Sequence, residues 1–199
     1  MKTLSSVLAR FALVIALTLL CASAIGETFV PPGGWPSYGL TSLDHGSYYI
    51  WGIDITWDPL VDEAKSATLS FDHLRNWDNS DNDLWIHLID DGLLGITLGS
   101  DWGGGGDQFL GQGILLEHFV NLPSTGEDKT ITFDSAAIDA LNGYAADGRI
   151  AIAMDPDCHF CDCGVQLEIQ YGAIPEPGVL LIAGFGGSLV AFLRKAKKA

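Results

Sequence analysis

The sequence predicts an all-β fold, an antiparallel β-sandwich, and three observations lead there. Apolar residues recur at every second position in short segments, which is the period of a half-buried strand. Gly, Asn and Asp separate those segments at roughly even spacing, as turns do. A single stretch, Ser135–Asn142, has helical character, too little for a sheet built on crossover helices.

In chain order, Glu27–Ser47 is rich in Pro and Gly and reads as a lead-in segment. Trp51, Ile53, Ile55 and Trp57 then share one face, with Asp54 and Thr56 on the other. Ala67, Leu69 and Phe71 alternate with Thr68, Ser70 and Asp72, and Leu84, Ile86 and Leu88 alternate with Trp85 and His87. Short strands follow at Leu94–Leu98, Leu115–Val120 and Thr130–Phe133. The helical stretch has Ser135 as its expected cap and Gly143 as its end. Ile150, Ile152 and Met154 form one side of a strand, and Val165, Leu167, Ile169 and Tyr171 one side of the next. Asp155–Gly164 joins these two as a loop between neighbouring strand ends. The Gly103–Gly106 run lacks the strand-to-helix setting that a phosphate loop requires. A long final strand pair flanking a loop, with a helix late in the chain, resembles the jelly-roll domains of galactose-binding-like type. That resemblance implies a glycan or calcium role.

The ends differ from the middle. Lys2 and Arg10 precede the apolar run Phe11–Leu20, and Ala22-Ser23-Ala24 follows, the layout of a secretory signal-peptide helix (1–24) cut after Ala24. At the other end Ile174-Pro175-Glu176-Pro177 leads into Gly178–Leu193, apolar and uncharged, and then into Arg194-Lys195-Ala196-Lys197-Lys198-Ala199. Two prolines so close terminate whatever precedes them. The apolar run is slightly short for the ~17–25 residues that span a bilayer, and Ala173 with snorkelling Arg194 and Lys195 extends it. The expectation is a transmembrane helix within 173–199, its basic end cytoplasmic.

That order of Pro-Glu-Pro, apolar segment and basic end resembles the PEP-CTERM sorting signal of exopolysaccharide-producing Gram-negative bacteria. The resemblance implies that an exosortase, a transpeptidase-like membrane protease, recognises Pro175, Glu176 and Pro177 and processes the protein during export. It also implies a protein anchored in the cell envelope and then displayed at the cell surface or in the extracellular matrix. The basic end is mostly lysine where arginine is more usual in that family.

Between the ends, residues 25–172 make one domain by size. Its 24 acidic side chains (the 25 of the chain less Glu176) face only Lys65, Arg75, Lys129 and Arg149, a charge of about −20. Such a charge repels nucleic acid and anionic lipid and favours divalent cations. Cys21 leaves with the signal peptide, so Cys158, Cys161 and Cys163 remain, and at most one bond forms among them.

The densest polar stretch is Asp155-Pro156-Asp157-Cys158-His159-Phe160-Cys161-Asp162-Cys163. Three readings compete. A disulfide from Cys158 to Cys163 or Cys161 would pin the loop across neighbouring strand ends. Zinc would take Cys158, His159, Cys161 and Cys163, although four ligands in so few residues strain a tetrahedron. Calcium would take Asp155, Asp157 and Asp162 through hard oxygens. Asp155 to His159 also resemble a motif of exported PEP-CTERM proteins placed between the last two strands. Cys161 and Cys163 depart from that motif, which suggests local cross-linking.

A second acidic loop offers Asp78, Asp81 and Asp83 to calcium, without the glycine and glutamate of an EF-hand. Trp77, Trp85 and Trp102 are candidates to stack on sugar rings, because the ring is apolar and its rim bonds to carboxylates and amides. His45, His73, His87, His118 and His159 are scattered, and no Gly-x-Ser-x-Gly or His-Glu-x-x-His pattern occurs. The reading is therefore non-catalytic: an exported structural or glycan-associated sandwich, with calcium as the candidate cofactor and polysaccharide as a candidate partner. The second reading is a metal-dependent hydrolase of polysaccharide acting through Asp155–His159.

Overall fold

The computed structural model describes residues 24–32, 40–77, 82–90, 93–102 and 105–175. The expected signal-peptide helix and most of the expected transmembrane segment lie outside that set. No helix of the described residues is long and apolar enough to cross a membrane.

Eleven strands are described: β1 (Ile25–Phe29), β2 (Ser42–Leu43), β3 (Ser47–Asp54), β4 (Asp62–Asn76), β5 (Asp83–Ile89), β6 (Gly95–Ser100), β7 (Ile114–Val120), β8 (Glu127–Thr132), β9 (Arg149–Pro156), β10 (Phe160–Cys161) and β11 (Gly164–Ala173). One helix, α1 (Ser135–Tyr144), and a 3-10 turn (Ala145–Asp147) sit between β8 and β9. The strands form two antiparallel sheets. One runs β1-β11-β4-β10-β2, with β8 also paired to β4; the other runs β6-β3-β9-β5-β7.

The predicted alternation is what joins them. Ala67, Leu69 and Phe71 of β4 with Val165, Leu167 and Ile169 of β11 meet Trp51 and Ile53 of β3, Leu84, Ile86 and Leu88 of β5, and Ile150, Ile152 and Met154 of β9 in one buried core. Each of the valine, leucine, isoleucine, phenylalanine and methionine side chains among them contributes about 1.5–3 kcal/mol by leaving water. Trp57 is buried just past the end of β3, stacked on Tyr171 of β11 at 4.9 Å.

β9 is buried on its other side too. Ala151 and Ala153 point away from the core and pack with Ile50, Ile89 and Phe109, so the segment 105–113 lies over the outer face of the five-stranded sheet. Alanines leave room for that cover. Gly52, paired with Ala151, makes room on the same face for a different stretch: a Cβ there would stand 1.6 Å from the Leu93 carbonyl oxygen.

Three expectations need correction. The last two long strands are not neighbours, because β9 and β11 belong to different sheets. Residues 157–163 cross from one sheet to the other and contain a strand of their own, β10. The lead-in segment also holds strands, for β1 pairs with β11 over Ile25–Phe29 and β2 pairs with β10. Finally, the helix is capped by Asp134, whose side chain accepts from the Ala137 N–H at 2.8 Å. Asp134 has extended backbone, as a cap requires. Gly143 lies inside the helix, and the left-handed residue is Gly148 after the 3-10 turn. Replacing Asp134 by Ala should cost about 0.5–2 kcal/mol in urea unfolding, and Ser135→Ala much less. The reverse ranking would refute the assignment of the cap.

Candidate functional site

The strand registers bring several connections to one end of the sandwich. Ser47 pairs with Ser100, Leu84 with Pro156 and Asp83 with Val120. On the other sheet Phe160 pairs with both Leu43 and Asn76. The connections that emerge there include those beginning at Asp44, Trp77, Asp101, Asn121 and Asp157. Backbone hydrogen bonds tie them together: Asp101 N–H to Gly46 O at 3.0 Å, Trp77 N–H to His159 O at 2.7 Å, and Asp157 N–H to Asp83 O at 2.9 Å.

The sequence-flagged residues divide at this end. Asp155 is completely buried and faces outward from β9, opposite Trp85. Its Oδ2 accepts from the Gln108 N–H at 2.7 Å, while its Oδ1 has no hydrogen-bond partner. Burial pushes its carboxyl up to about 6, the Gln108 N–H opposes that rise, and Asp101, Asp157 and Asp107 add to it. Asp157 accepts from the Gly105 and Gly106 N–H groups at 2.8 and 3.1 Å. Beside them His87 and Asp107 form a buried pair at 3.0 Å. These carboxylates thus grip the segment 105–108, and Asp101, Asp107 and His87 join a constellation of which the sequence flagged only Asp155 and Asp157.

Asp162 lies elsewhere. Burial pushes it up to about 7, against the pull of the Gly164 backbone N–H and with Asp72 as its charged neighbour. Asp83 binds His118 Nε2 at 2.7 Å, and Asp78 and Asp81 lie outside the described residues. So do Glu176, Pro177, Arg194 and Lys195, while Pro175 is exposed at the edge of the described chain.

No disulfide links Cys158, Cys161 and Cys163 among the described residues. The cross-link was expected across neighbouring strand ends, and those ends are not neighbours. Hydrogen bonds pin the crossing instead: Asp162 N–H to Thr41 O and Cys163 N–H to Asp72 O, together with the β10 pairings. Cys161 and Cys158 are half-buried and Cys163 is exposed.

The tryptophans also divide. Trp85 is half-buried with His118 stacked on its ring at 4.7 Å and 12°, so one face is already covered. Trp77 is 74% exposed and Trp102 is 93% exposed, and both stand on the connections of this end. Against the crossing, His159 meets His45 and Asp44 from the turn after β2. His45 had no signal in the sequence, being 114 positions from its partner. A shallow cavity of about 350 Å³ opens between the segment 105–113 and the outer face of its sheet, lined by Tyr48, Phe109, Gln108, Gln112 and Asp90 among others.

No family model and no curated protein matches the chain. Among solved structures it is similar to a recombinantly expressed latent aurone synthase, a polyphenol oxidase, at TM-score 0.40 and 7% identity, over 74% of this chain and 28% of that one. It is similar to a latent apple tyrosinase at TM-score 0.37 and 12% identity, over 66% of this chain and 27% of that one. A carbohydrate-binding module of a Cellvibrio mixtus lichenase, in complex with cellotriose, gives TM-score 0.28 and 9% identity, over 76% and 88%. The chain spans under a third of the length of the polyphenol oxidases it matches.

The raised carboxyls make a pH prediction. Folded Asp155 (about 6) and Asp162 (about 7) keep protons at pH values where the unfolded groups, near 3.8, have lost them. The native state then binds more protons, so these two groups withdraw stability as pH rises from about 4 to 7. In urea unfolding with a chelator present, Asp155→Asn and Asp162→Asn should therefore gain stability relative to wild type across that interval. A gain that shrinks with rising pH would contradict the assignment.

Proposed function

We propose that this chain is an exported protein of the cell surface or extracellular matrix, led out by its signal peptide and sorted through its PEP-CTERM tail. Its β-domain works there without catalysis, as a glycan-associated component of the envelope or its polysaccharide. The strand orders β1-β11-β4-β8 and β3-β9-β5-β7 support a jelly roll, with β6 added at one edge and the short β2 and β10 closing the loop end.

The observation that carries the glycan reading is the exposure of Trp77 and Trp102 at the same end of the sandwich. Large apolar rings held in water beside amides and carboxylates suit the apolar face and hydroxyl rim of a sugar. The strongly acidic domain favours neutral glycans over acidic ones, since like charges repel. The second reading, a metal-dependent hydrolase of polysaccharide, is favoured by the meeting of His159 with His45 and Asp44. Release of reducing ends would mark that reading.

Titrating the full chain with neutral polysaccharide, followed by tryptophan fluorescence, should show saturable binding. Trp77→Ala and Trp102→Ala should each weaken it by about 2–10-fold, the value of about 0.5–1.5 kcal/mol per aromatic contact. Binding indifferent to both changes, or no binding at all, would sink the glycan reading.

Sorting has its own test in a host carrying an exosortase. Replacing Pro175, Glu176 and Pro177 together by alanine should leave uncleaved precursor in the membrane fraction. Wild-type protein should instead reach the surface with its C-terminus near Pro177. Identical fractionation of the two would remove the tail from the account.

A further inference from the structure

We propose that Asp44, His45 and His159 form a binding site for a late first-row divalent metal ion, with zinc the expected occupant. His45 Nδ1 lies 3.2 Å from His159 Nδ1. Asp44 Oδ1 lies 3.3 Å from His45 Nδ1 and 3.3 Å from His159 Nε2. In a tetrahedral zinc site with bonds of about 2.0–2.1 Å, neighbouring ligand atoms stand about 3.3–3.4 Å apart. An imidazole ligates an ion through one nitrogen only, and one donor atom from each of the three residues lies within 4.8 Å of the other two, so a small side-chain adjustment gathers them into such a shell.

The fold sets this spacing. The β2·β10 ladder pairs Leu43 with Phe160, so the next positions outward, Asp44 and His159, come face to face. Leu43 and Phe160 are both completely buried, which makes the base of the site rigid. The His159 carbonyl is held by the Trp77 N–H, and Asp44 Oδ1 is aimed by the Gly46 N–H at 3.1 Å. The two imidazoles meet edge to face at 4.6 Å and 72°.

Donor chemistry selects the ion. Two imidazole nitrogens with one carboxylate suit zinc and its neighbours, whereas calcium and magnesium prefer oxygen alone. The side chains are 43–56% exposed, so an ion held by three protein ligands keeps an open position for water or an exchangeable ligand. Surplus negative charge over the domain raises the local cation concentration. None of the three cysteines takes part, although His159 sits among them. The site stands independently of the glycan reading.

The test uses the full chain, stripped with a chelator and titrated with Zn²⁺ against a chromophoric competitor, and with Co²⁺ for its visible spectrum. A single ion per chain should bind. His45→Ala and His159→Ala should each weaken it at least about tenfold, since even ligand-orienting groups carry 10–100-fold. The triple variant Cys158→Ser, Cys161→Ser, Cys163→Ser should bind as wild type, and the cobalt spectrum should show no thiolate charge transfer. Zinc should raise the melting temperature of wild type but not of His45→Ala, whose change lies in an outer turn, so a loss of binding there is not a failure to fold. Absence of stoichiometric binding, indifference to both histidine changes, or loss in the cysteine variant each overturns the proposal.

Discussion

The burial of β9 on both faces is the constraint from which the rest follows. Ile150, Ile152 and Met154 fill the space between the sheets, while Ala151, Ala153 and Asp155 lie under the segment 105–113. β9 is thus a central strand, paired on both edges and covered on both faces. The chain leaves it at Pro156 and plunges to the opposite sheet, where Phe160 is fully buried. That crossing carries Asp157 and His159 to the loop end and sets them against elements from far earlier in the sequence.

Much of the sandwich was legible because its signal is local. Alternation in Ala67–Phe71, Leu84–Leu88 and Ile150–Met154 marks the inner faces without reference to any partner. The loop end was legible only in part. Trp77, Trp102, Asp155 and His159 were visible as residue types, but what each meets depends on strand pairing across long separations. His45 is the clearest case, since its position beside His159 comes from the β2·β10 ladder, and a two-residue strand has no periodicity to detect. The helix cap failed for a different reason. Asp134 and Ser135 are both good capping residues, and backbone conformation, not composition, decides between them.

Charge is used in two opposed ways at this end. Carboxylates on the outer face of the five-stranded sheet accept backbone N–H groups from the segment 105–108, which ties that segment down at the cost of burying Asp155 among three other acids. A proton on Asp155 relieves that cost, and burial raises its carboxyl pKa in that direction. Across the end of the sandwich the donors are imidazole nitrogens, which neither repel one another when neutral nor suit hard cations. The two clusters stand on the same crossing yet differ in the chemistry they can hold.

The placement of the termini gives the loop end its direction. β1 begins at Ile25 opposite Tyr171, and β11 runs from Gly164, beside Asp72, to Ala173, beside Asp62. The chain therefore enters and leaves the domain at the end away from the crossing, and the Ile174 N–H is tied to Val61 O there. A strand of that length at about 3.3 Å per residue spans about 30 Å. A tail that held the membrane after Pro175 would put that distance between the lipid and the loops. Trp77, Trp102 and His159 would then face away from the bilayer, where a surface polysaccharide can reach them. If tail and loops shared one end, the bilayer would compete with any sugar for the exposed rings. With such a tail at the opposite end, the same aromatic side chains would stand in water without being drawn into the membrane.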